Sequence, residues 1–328
     1  MSEIREQRVS TPITDLNILF NQDICHKNLV VMNYADNKMQ NFIIDNLCMN
    51  LENNGSVVML TADDSYKQFC LDNGGLYITL EDLKVNPFLT KDDDTLDEHI
   101  VSTVGYFHSK SLNTHTVITN LLEEAGSKKL TLQDCINKIN SYMAKNDDNQ
   151  VIQNFINNNV LQKCFSAERD TLNENTAWSL IVINLQCAFM DRYQSLFLLQ
   201  VVLMSLINFL TSLPPQKRKL VFCDKQISEL LVDMDGGLVV AFCRRARATN
   251  YNLITIAPPE DVYKQKLPYG GIRVNSGFYL SSLDCKGSWL FEHRCPNLQA
   301  LIDSGKFVGY QYFLHNTFNR TYYPVKFS

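Results

Sequence analysis

Glycine is missing from the beginning of this 328-residue chain, in which the first glycine is Gly55. Serine and threonine are also missing between Thr14 and Ser56. Loops that bind phosphate through their backbone usually need glycine, so that N–H groups can close around the anion, and a hydroxyl that coordinates Mg²⁺. The N-terminal segment therefore lacks the residues of a working phosphate-binding loop.

The chain also lacks the residue spacings that are typical of metal sites and disulfide frameworks. Its ten cysteines are scattered without a C-x-x-C pair, and its six histidines form no H-E-x-x-H motif. The nearest approach to a metal cluster is Cys285, His293 and Cys295, but zinc ligands follow a stricter spacing. We therefore predict no metal site, and we interpret the cysteines as reduced, mostly buried thiols of a cytosolic protein.

Positive charge is not in excess, and no apolar run clearly suits a membrane. The formal net charge of -5 gives no general attraction to nucleic acid, whose binding depends mainly on neutralised phosphates. The polar N-terminus has no apolar signal-peptide core, so export is not expected. Residues 196–213 are very apolar, but polar residues interrupt them and they barely reach the length of a bilayer. We predict a helix buried under a sheet, in a cytoplasmic protein with no transmembrane segment.

Strands that alternate with helices are what the sequence does contain. Apolar strands are predicted at residues 28–32, 56–61 and 76–80, with an amphipathic helix at 39–53 between the first two. Further strands are predicted at residues 178–184, 220–223, 252–257, 277–281 and 307–313. This alternation predicts an α/β fold with a mostly parallel sheet and helices on both faces. The chain is 45% hydrophobic, which is enough for a substantial core.

Residues 92–175 differ in character from the segments around them. They are charged, rich in asparagine and helical in pattern, and residues 130–143 have apolar positions at helical spacing behind an N-cap at Thr131. We predict an all-helical insertion at 92–175, within one domain made of residues 1–91 and 176–328. The acidic run at 92–94 is interpreted as a solvated entry loop.

Two segments give a narrower match. Residues 63–88 read DDSYKQFCLDNGGLYITLEDLKVNPF, and residues 242–263 read FCRRARATNYNLITIAPPEDVY. The first holds an acidic residue before Ser-Tyr, then Gly-Gly-x-Tyr and Asn-Pro-Phe, and the second holds an arginine-rich stretch, a strand and an acidic turn. Together with the apolar strand that ends at Asp224, they resemble the motor domain of the TraC-type ATPases of bacterial conjugation and type IV secretion. The resemblance implies a RecA-like P-loop NTPase fold of the HerA/FtsK superfamily.

The phosphate loop that this resemblance implies is altered in the present chain. The family's G-x-x-G-x-G-K-[ST] falls on NYADNKMQN at residues 33–41. Its lysine position is Gln40, Met39 or, with a gap, Lys38, and the loop ends at Asn41 instead of a hydroxyl residue. Without glycine the backbone cannot approach phosphate, and without the hydroxyl Mg²⁺ loses a ligand.

The other two catalytic motifs of the family are altered as well. The acidic pair that serves Mg²⁺ and the attacking water falls on Asp224 and Lys225, and the sensor Thr-Gln falls on Ala257 and Pro258. A lysine at the position of the general base reverses the charge where a proton must be accepted. For Asp224 itself, we favour a strand-end aspartate that caps the next turn over a ligand of Mg²⁺.

Two further groups have open interpretations. Arg244, Arg245 and Arg247 are candidates for contact with a neighbouring subunit, as an arginine finger or a pore contact, although without nucleotide a solvated basic helix face is favoured. The C-terminal aromatic residues are expected to pack in the core or at a subunit edge instead of stacking on bases, because the acidic composition offers no electrostatic funnel. These aromatic residues are Tyr310, Tyr312, Phe313, Tyr322 and Tyr323.

The resemblance and the altered motifs predict a degenerate copy that hydrolyses no ATP, has no catalytic residue and uses no cofactor. Such a protein would be a structural or regulatory component of a type IV secretion assembly, associated with itself or with an active TraC-type paralogue and other components at the inner membrane. One alternative is an ATPase that uses ATP and Mg²⁺ in an unusual site with Lys38 and Asp224. Another is a cleft remodelled for a different small ligand. The family usually has an N-terminal domain before the motor, so we expect a split-gene product or a free-standing paralogue.

Overall fold

The computed structural model describes a large part of the α/β domain. The described residues are 8–16, 28–31, 37–85, 163–164, 170–186, 192–233, 251–256, 278–285, 295, 297–316 and 320–327. Most of the predicted insertion at 92–175 lies outside these residues. The same holds for the loop at 32–36 and for the predicted helix with Arg244, Arg245 and Arg247.

Ten strands and six α-helices are present in this part of the chain. The strands are β1 Arg8–Val9, β2 Asn28–Val31, β3 Ser56–Thr61, β4 Leu76–Ile78, β5 Leu180–Asn184, β6 Lys219–Cys223, β7 Tyr251–Ile256, β8 Phe278–Ser282, β9 Tyr312–Asn316 and β10 Thr321–Val325. The helices are α1 Asn37–Glu52, α2 Lys67–Asp72, α3 Thr171–Glu174, α4 Arg192–Ser212, α5 Lys225–Asp233 and α6 Leu298–Asp303. Short 3-10 turns occupy Asp64–Tyr66 and Leu283–Cys285.

All ten strands form one sheet in the order β1-β10-β9-β8-β2-β7-β6-β3-β5-β4. The seven strands from β8 to β4 in this order run parallel to one another. Only β9 runs antiparallel, to both β8 and β10. The predicted α/β fold with a mostly parallel sheet is confirmed. One strand, β7, separates β2, after which the phosphate loop was predicted, from β6, which precedes Asp224.

The central strands are mostly apolar, as expected where both faces of a sheet are covered, and their buried polar residues lie mainly at the strand ends. Every residue of β3, β5, β6 and β7 is buried. Helix α1 packs Met39, Phe42, Ile43 and Leu47 into the same core, and they recur at the spacing of one helix face. This packing holds the first turn of α1 directly after β2.

The apolar stretch at 196–213 lies mainly in α4, and its prediction as a buried helix is confirmed. Leu198, Leu199, Val202 and Leu203 have no exposed surface. None of the helices that the structure describes is long and apolar enough to cross a membrane.

The described residues on either side of 86–162 lie close to each other on the α/β domain. The N–H of Val85 donates to the carbonyl of Cys164 at 2.8 Å, and the N–H of Thr171 donates to the carbonyl of Lys84 at 2.8 Å. Asp170 caps α3 and also accepts a hydrogen bond from Ser205 of α4, at 2.6 Å between the oxygens. The chain therefore leaves and re-enters the domain at neighbouring points.

The predicted strand at 307–313 is wrong in its first half. Phe307 lies in a turn after α6, and β9 begins only at Tyr312. Gly305 and Gly309 have φ angles of 78° and 84°, which extended strands do not contain. Strands β1 and β10 were not predicted. The aromatic tail packs as expected, since Phe313 and Tyr322 are fully buried.

Candidate functional site

The carboxyl ends of the parallel strands meet at one edge of the sheet, which is where open α/β sheets usually bind ligands. Three polar residues stand at this edge: Thr61 ends β3, Asn184 ends β5, and Asp224 follows β6. The strands pair in register so that Thr61 lies opposite Asn184 and Leu60 lies opposite Cys223. The edge therefore brings together groups that are far apart in the sequence.

Asp224 connects two elements through its side chain. Its Oδ1 accepts a hydrogen bond from the N–H of Ile227 at 2.8 Å, which caps the first turn of α5. Its Oδ2 accepts from the N–H of Ala62 at 2.7 Å, directly after β3. The predicted cap is thus confirmed, but the bond to Ala62 was missed because it joins residues 162 positions apart. Both carboxylate oxygens are engaged by backbone groups.

The carboxyl group of Asp224 also lies in an unusual electrostatic environment. The side chain is only 8% exposed, and this burial raises its pKa to about 6. The N–H groups of Ile227 and Ala62 oppose that rise, whereas the charge of Asp63 adds to it. Lys225 is exposed on the first turn of α5, beside this buried carboxyl group. Asp224 can thus take up a proton just below neutral pH.

A second polar network lies next to Asp224 at the same edge. The hydroxyl of Tyr77 in β4 donates to Oδ1 of Asp64 at 2.5 Å, and Nδ2 of Asn184 donates to the same oxygen at 2.9 Å. Nδ2 of Asn184 also lies 3.0 Å from the hydroxyl of Tyr77. The amide oxygen of Asn184 accepts from the N–H of Gln186 at 2.9 Å. This network closes β4 and β5 against the turn that follows β3.

The charges in this network follow from its hydrogen bonds. The bond from Tyr77 lowers the pKa of the Asp64 carboxyl, with a further contribution from Asn184. Burial, followed by the bond to Asp64, raises the pKa of Tyr77 to about 12. Asp64 therefore stays ionised and Tyr77 stays protonated at neutral pH. Asp64 and Tyr77 belong to the segment 63–88 that carries the family resemblance, as the acidic residue before Ser-Tyr and the tyrosine of Gly-Gly-x-Tyr, but nothing in the local pattern pointed to Asn184.

The three residues of α1 that were predicted as candidates for the family's lysine position differ in their exposure to solvent. Met39 is fully buried in the hydrophobic core. Gln40 is half-buried, while Lys38 and Asn41 are exposed. Because Lys38 and Asn41 are three positions apart, they lie on the same face of α1. That face is turned away from the core that holds Met39.

Lys38 and Asn41 line a cleft of about 380 Å³ between α1 and the C-terminal strands. Residues 309–312 and 325–327 form the opposite wall. Phe42, Tyr312 and Phe327 form an aromatic cluster at this cleft, with ring centroids 4.7 Å apart for Phe42 and Phe327 and 4.0 Å for Tyr312 and Phe327. Asp224 and Lys225 are not among the described residues that line it. The predicted site residues therefore fall into two places.

Several predicted features lie outside the described residues. These are the arginines at 244, 245 and 247, Ala257 and Pro258 of the altered sensor, and His293 of the weak metal pattern. Among the residues that the structure does describe, no group of histidine, cysteine or acidic side chains could hold a metal ion. Cys48, Cys70, Cys164, Cys223 and Cys295 form no disulfide, and all but the half-buried Cys48 are buried.

Comparison with known proteins identifies the fold. No protein-family model and no curated protein sequence matches the chain. VirB4 of Thermoanaerobacter pseudethanolicus superposes with a TM-score of 0.68 at 13% identity, over 92% of this chain and 89% of that one. The bacterial conjugative coupling protein TrwB gives a TM-score of 0.54 at 9% identity in its unbound form, over 100% and 90% of the two chains. TrwB in complex with ADP and Mg²⁺ gives 0.56 at 10% identity, over the same shares. Identities this low establish a fold and no more: the chain has the RecA-like α/β fold of VirB4 and TrwB.

Proposed function

We propose that this chain is a catalytically inactive relative of the TraC-type ATPases and acts as a structural or regulatory component of a type IV secretion or conjugation assembly. The fold shared with VirB4 and TrwB supports the related role. The observation that supports inactivity is the state of Asp224, whose two carboxylate oxygens are bound by the N–H groups of Ile227 and Ala62. A carboxylate that ties two elements together is poorly placed to serve a metal ion as well.

The position after Asp224 adds to this argument. Hydrolysis needs a group that accepts a proton from the attacking water. Lys225 is a cation, and it stands at the N-terminal end of α5, where the helix dipole is already positive. A lysine there repels Mg²⁺ and holds a proton instead of accepting one.

Helix α1 supports the same conclusion from the phosphate side. Met39 is apolar and buried, and Gln40 is uncharged, so neither replaces the lysine that the family places on phosphate. Lys38 faces the cleft near the C-terminal strands. We therefore propose no ATP or Mg²⁺ as a cofactor.

The proposed partner is a second copy of this chain or an active TraC-type ATPase, at the cytoplasmic face of the inner membrane. In the family's rings the arginine-rich helix meets a neighbouring subunit, which makes Arg244, Arg245 and Arg247 the proposed contact. We further propose that residues 92–175 form the helical insertion of this single RecA-like domain. A specific contact of this kind buries at least about 1,000 Å² in total.

The test combines a nucleotide assay with a partner assay on the purified chain. A ligand present at about a hundred times its Kd contributes roughly 2.7 kcal/mol to stability, so Mg-ATP at millimolar concentration should raise the melting temperature if it binds. We expect the melting temperature with Mg-ATP to equal that with Mg²⁺ alone, and we expect no release of phosphate. We also expect the chain to co-purify with an active TraC-type ATPase from the same cell. Phosphate release that is lost on Asp224→Ala would favour an unusual ATPase instead. A monomer that captures no such ATPase would contradict the assembly role.

A second candidate function is a cleft that binds another small ligand. The cavity beside α1 favours it, since its size lies within the 300 to 1,000 Å³ that is common for ligand sites. Its aromatic residues and the two lysines on its walls are typical components of such a site.

A further inference from the structure

We propose that the cleft between α1 and the C-terminal strands binds a small planar aromatic molecule with a single negative charge. The proposal deepens the second candidate function and rests on it, but it does not depend on the assembly role. Three properties of the cleft support it: its aromatic floor, the two cations on opposite walls, and its size.

The floor of the cleft is an aromatic surface that is already organised. Phe327 lies between Phe42 of α1 and Tyr312 of β9, with tilted rings at interplanar angles of 30° and 33°. Phe42 and Tyr312 are buried, while Phe327 is half-buried and keeps part of its ring accessible. Tyr310, also half-buried, stands on the same wall as Tyr312. A planar ring can stack here without a rearrangement of the core, because offset aromatic contacts are favourable at centroid distances of about 4.5 to 7 Å.

Opposite walls each supply one lysine. Lys38 comes from the first turn of α1, and Lys326 directly follows β10. The backbone of Lys326 is held in place by a hydrogen bond from its N–H to the carbonyl of Ile13 at 3.1 Å. Asp45, about two helical turns further along α1, lines the cleft as well. Among the described residues that line the cleft, two lysines and one aspartate leave one excess positive charge. That balance suits one carboxylate, sulfonate or phosphate monoester group better than a triphosphate.

The size of the cleft limits the ligand in the same direction. A volume of about 380 Å³ is near the lower end of the range for small-molecule sites. It accommodates a bicyclic ring with one acidic group. The class is therefore an aromatic carboxylate or a molecule of similar shape and charge.

The experiment is a calorimetric titration of the full chain with 1-naphthoate. Two matched compounds separate the requirements: 1-naphthalenemethanol keeps the ring without the charge, and cyclohexanecarboxylate keeps the charge without the planar ring. We expect a Kd below about 1 mM for 1-naphthoate, and at least about tenfold weaker binding of both other compounds, since a charge-assisted bond or a ring contact is typically worth that much. Equal binding of the alcohol would overturn the assigned charge, and equal binding of cyclohexanecarboxylate would overturn the aromatic floor.

Variants then locate the binding. Lys326→Glu should weaken the binding of 1-naphthoate at least about tenfold, and the milder Lys326→Gln should weaken it a few-fold. Lys306→Glu, on the exposed turn after α6, should leave the binding unchanged. Circular dichroism establishes that each variant is folded, and Lys326→Gln keeps the test valid if Lys326→Glu is not. Unchanged binding in both Lys326 variants would overturn the proposal. So would displacement of 1-naphthoate by Mg-ATP at lower concentration, because the cleft would then be a nucleotide site. The assembly role is measured separately by co-purification, so either idea can fail alone.

Discussion

The side chain of Asp224 accepts a hydrogen bond from the backbone N–H of Ala62, with 2.7 Å between Oδ2 and the nitrogen. The two residues follow adjacent parallel strands, β6 and β3. Since Oδ1 also caps α5 through Ile227, one carboxyl group holds three elements at the edge of the sheet. The resemblance to an ATPase implies a metal ligand at this position, whereas the geometry makes it a structural tie.

Removal of this tie should destabilise the fold. Asp224→Ala loses the cap of α5 and leaves the buried N–H of Ala62 without its acceptor, so we expect the free energy of unfolding to fall by about 2 kcal/mol. Urea denaturation at neutral pH measures it. The control is Asp72→Ala: this exposed aspartate accepts only from the side chain of Gln68, and the change should cost no more than about 0.5 kcal/mol. Equal effects of the two substitutions would contradict the structural role.

The raised pKa of Asp224 predicts a pH dependence with a definite sign. The folded state holds a proton up to about pH 6, well above the ordinary carboxyl range, so the unfolded state binds fewer protons in between. The contribution of this group to stability therefore falls as the pH rises through about 6, by at most about 2 kcal/mol between pH 4.5 and 7.5. The measured quantity is the difference in unfolding free energy between the wild type and Asp224→Asn at both pH values. A difference that stays constant, or that grows with pH, would show that the carboxyl group does not titrate in this range.

A lysine introduced into α1 should reduce stability by very different amounts at two neighbouring positions. Met39→Lys places a charge in the hydrophobic core and should cost about 3 kcal/mol or more. Gln40→Lys, at a half-buried position, should cost less than about 1 kcal/mol. Mg-ATP should not raise the melting temperature of either variant, because Lys225 is unchanged and the loop before α1 still has no glycine. A clear rise in Gln40→Lys would show that the loop still accepts phosphate.

The network around Asp64 predicts a measurable change in titration. Tyr77→Phe removes the main hydrogen bond that lowers the pKa of Asp64, so that pKa should rise toward its ordinary value. Carbon-detected NMR titration of the carboxyl group measures it. A lowered folded-state pKa stabilises the protein at neutral pH, and this contribution disappears as the pH falls through it, so the variant should differ most from the wild type above about pH 4. Tyr323→Phe in β10 is the control and should leave Asp64 unchanged.

The first glycine of the chain is required for packing. A Cβ atom at Gly55 would lie 2.3 Å from Nδ2 of the buried Asn50, which donates to the carbonyl of Ser56 at 3.0 Å. Gly55→Ala should therefore cost about 2 kcal/mol, within the range for overpacked sites. At Gly305 the nearest atom is 3.8 Å away, so Gly305→Ala should show only the smaller cost of its positive φ angle. Thermal unfolding of both variants compares them.

Much of the fold could be predicted because buried parallel strands are continuous apolar runs. β3 was predicted residue for residue. The predictions for β2, β5, β6 and β7 differ from the described ends of these strands by no more than two residues. The failures come from weaker local signals. β10 reads TYYPV and contains Pro324, so its strand character depends on pairing with β9 and β1. The turn at Gly309 interrupted a stretch that composition alone marked as extended.

The candidate site was predicted only in part. The sequence shows that a lysine follows Asp224 and that no glycine precedes Gly55, because residue identities can be read without coordinates. It also favoured a cap at Asp224, since the bond to Ile227 is local. It did not show that Lys38 and Lys326 face each other across a cleft, because these residues belong to opposite ends of the chain.

The sequence by itself therefore determined most of the central strands, and it shows a lysine at position 225 and no glycine before Gly55, since local patterning and residue identity can be read without coordinates. Only the tertiary structure decided what the remaining groups contact. The order β8-β2-β7-β6-β3-β5-β4 brings Asp224 to Ala62 and Asn184 to Asp64, and the hairpin of β9 and β10 brings Lys326 to α1. Such contacts depend on strand order and register. These are set by the burial of the whole sheet and its helices, so no short segment of the sequence contains them.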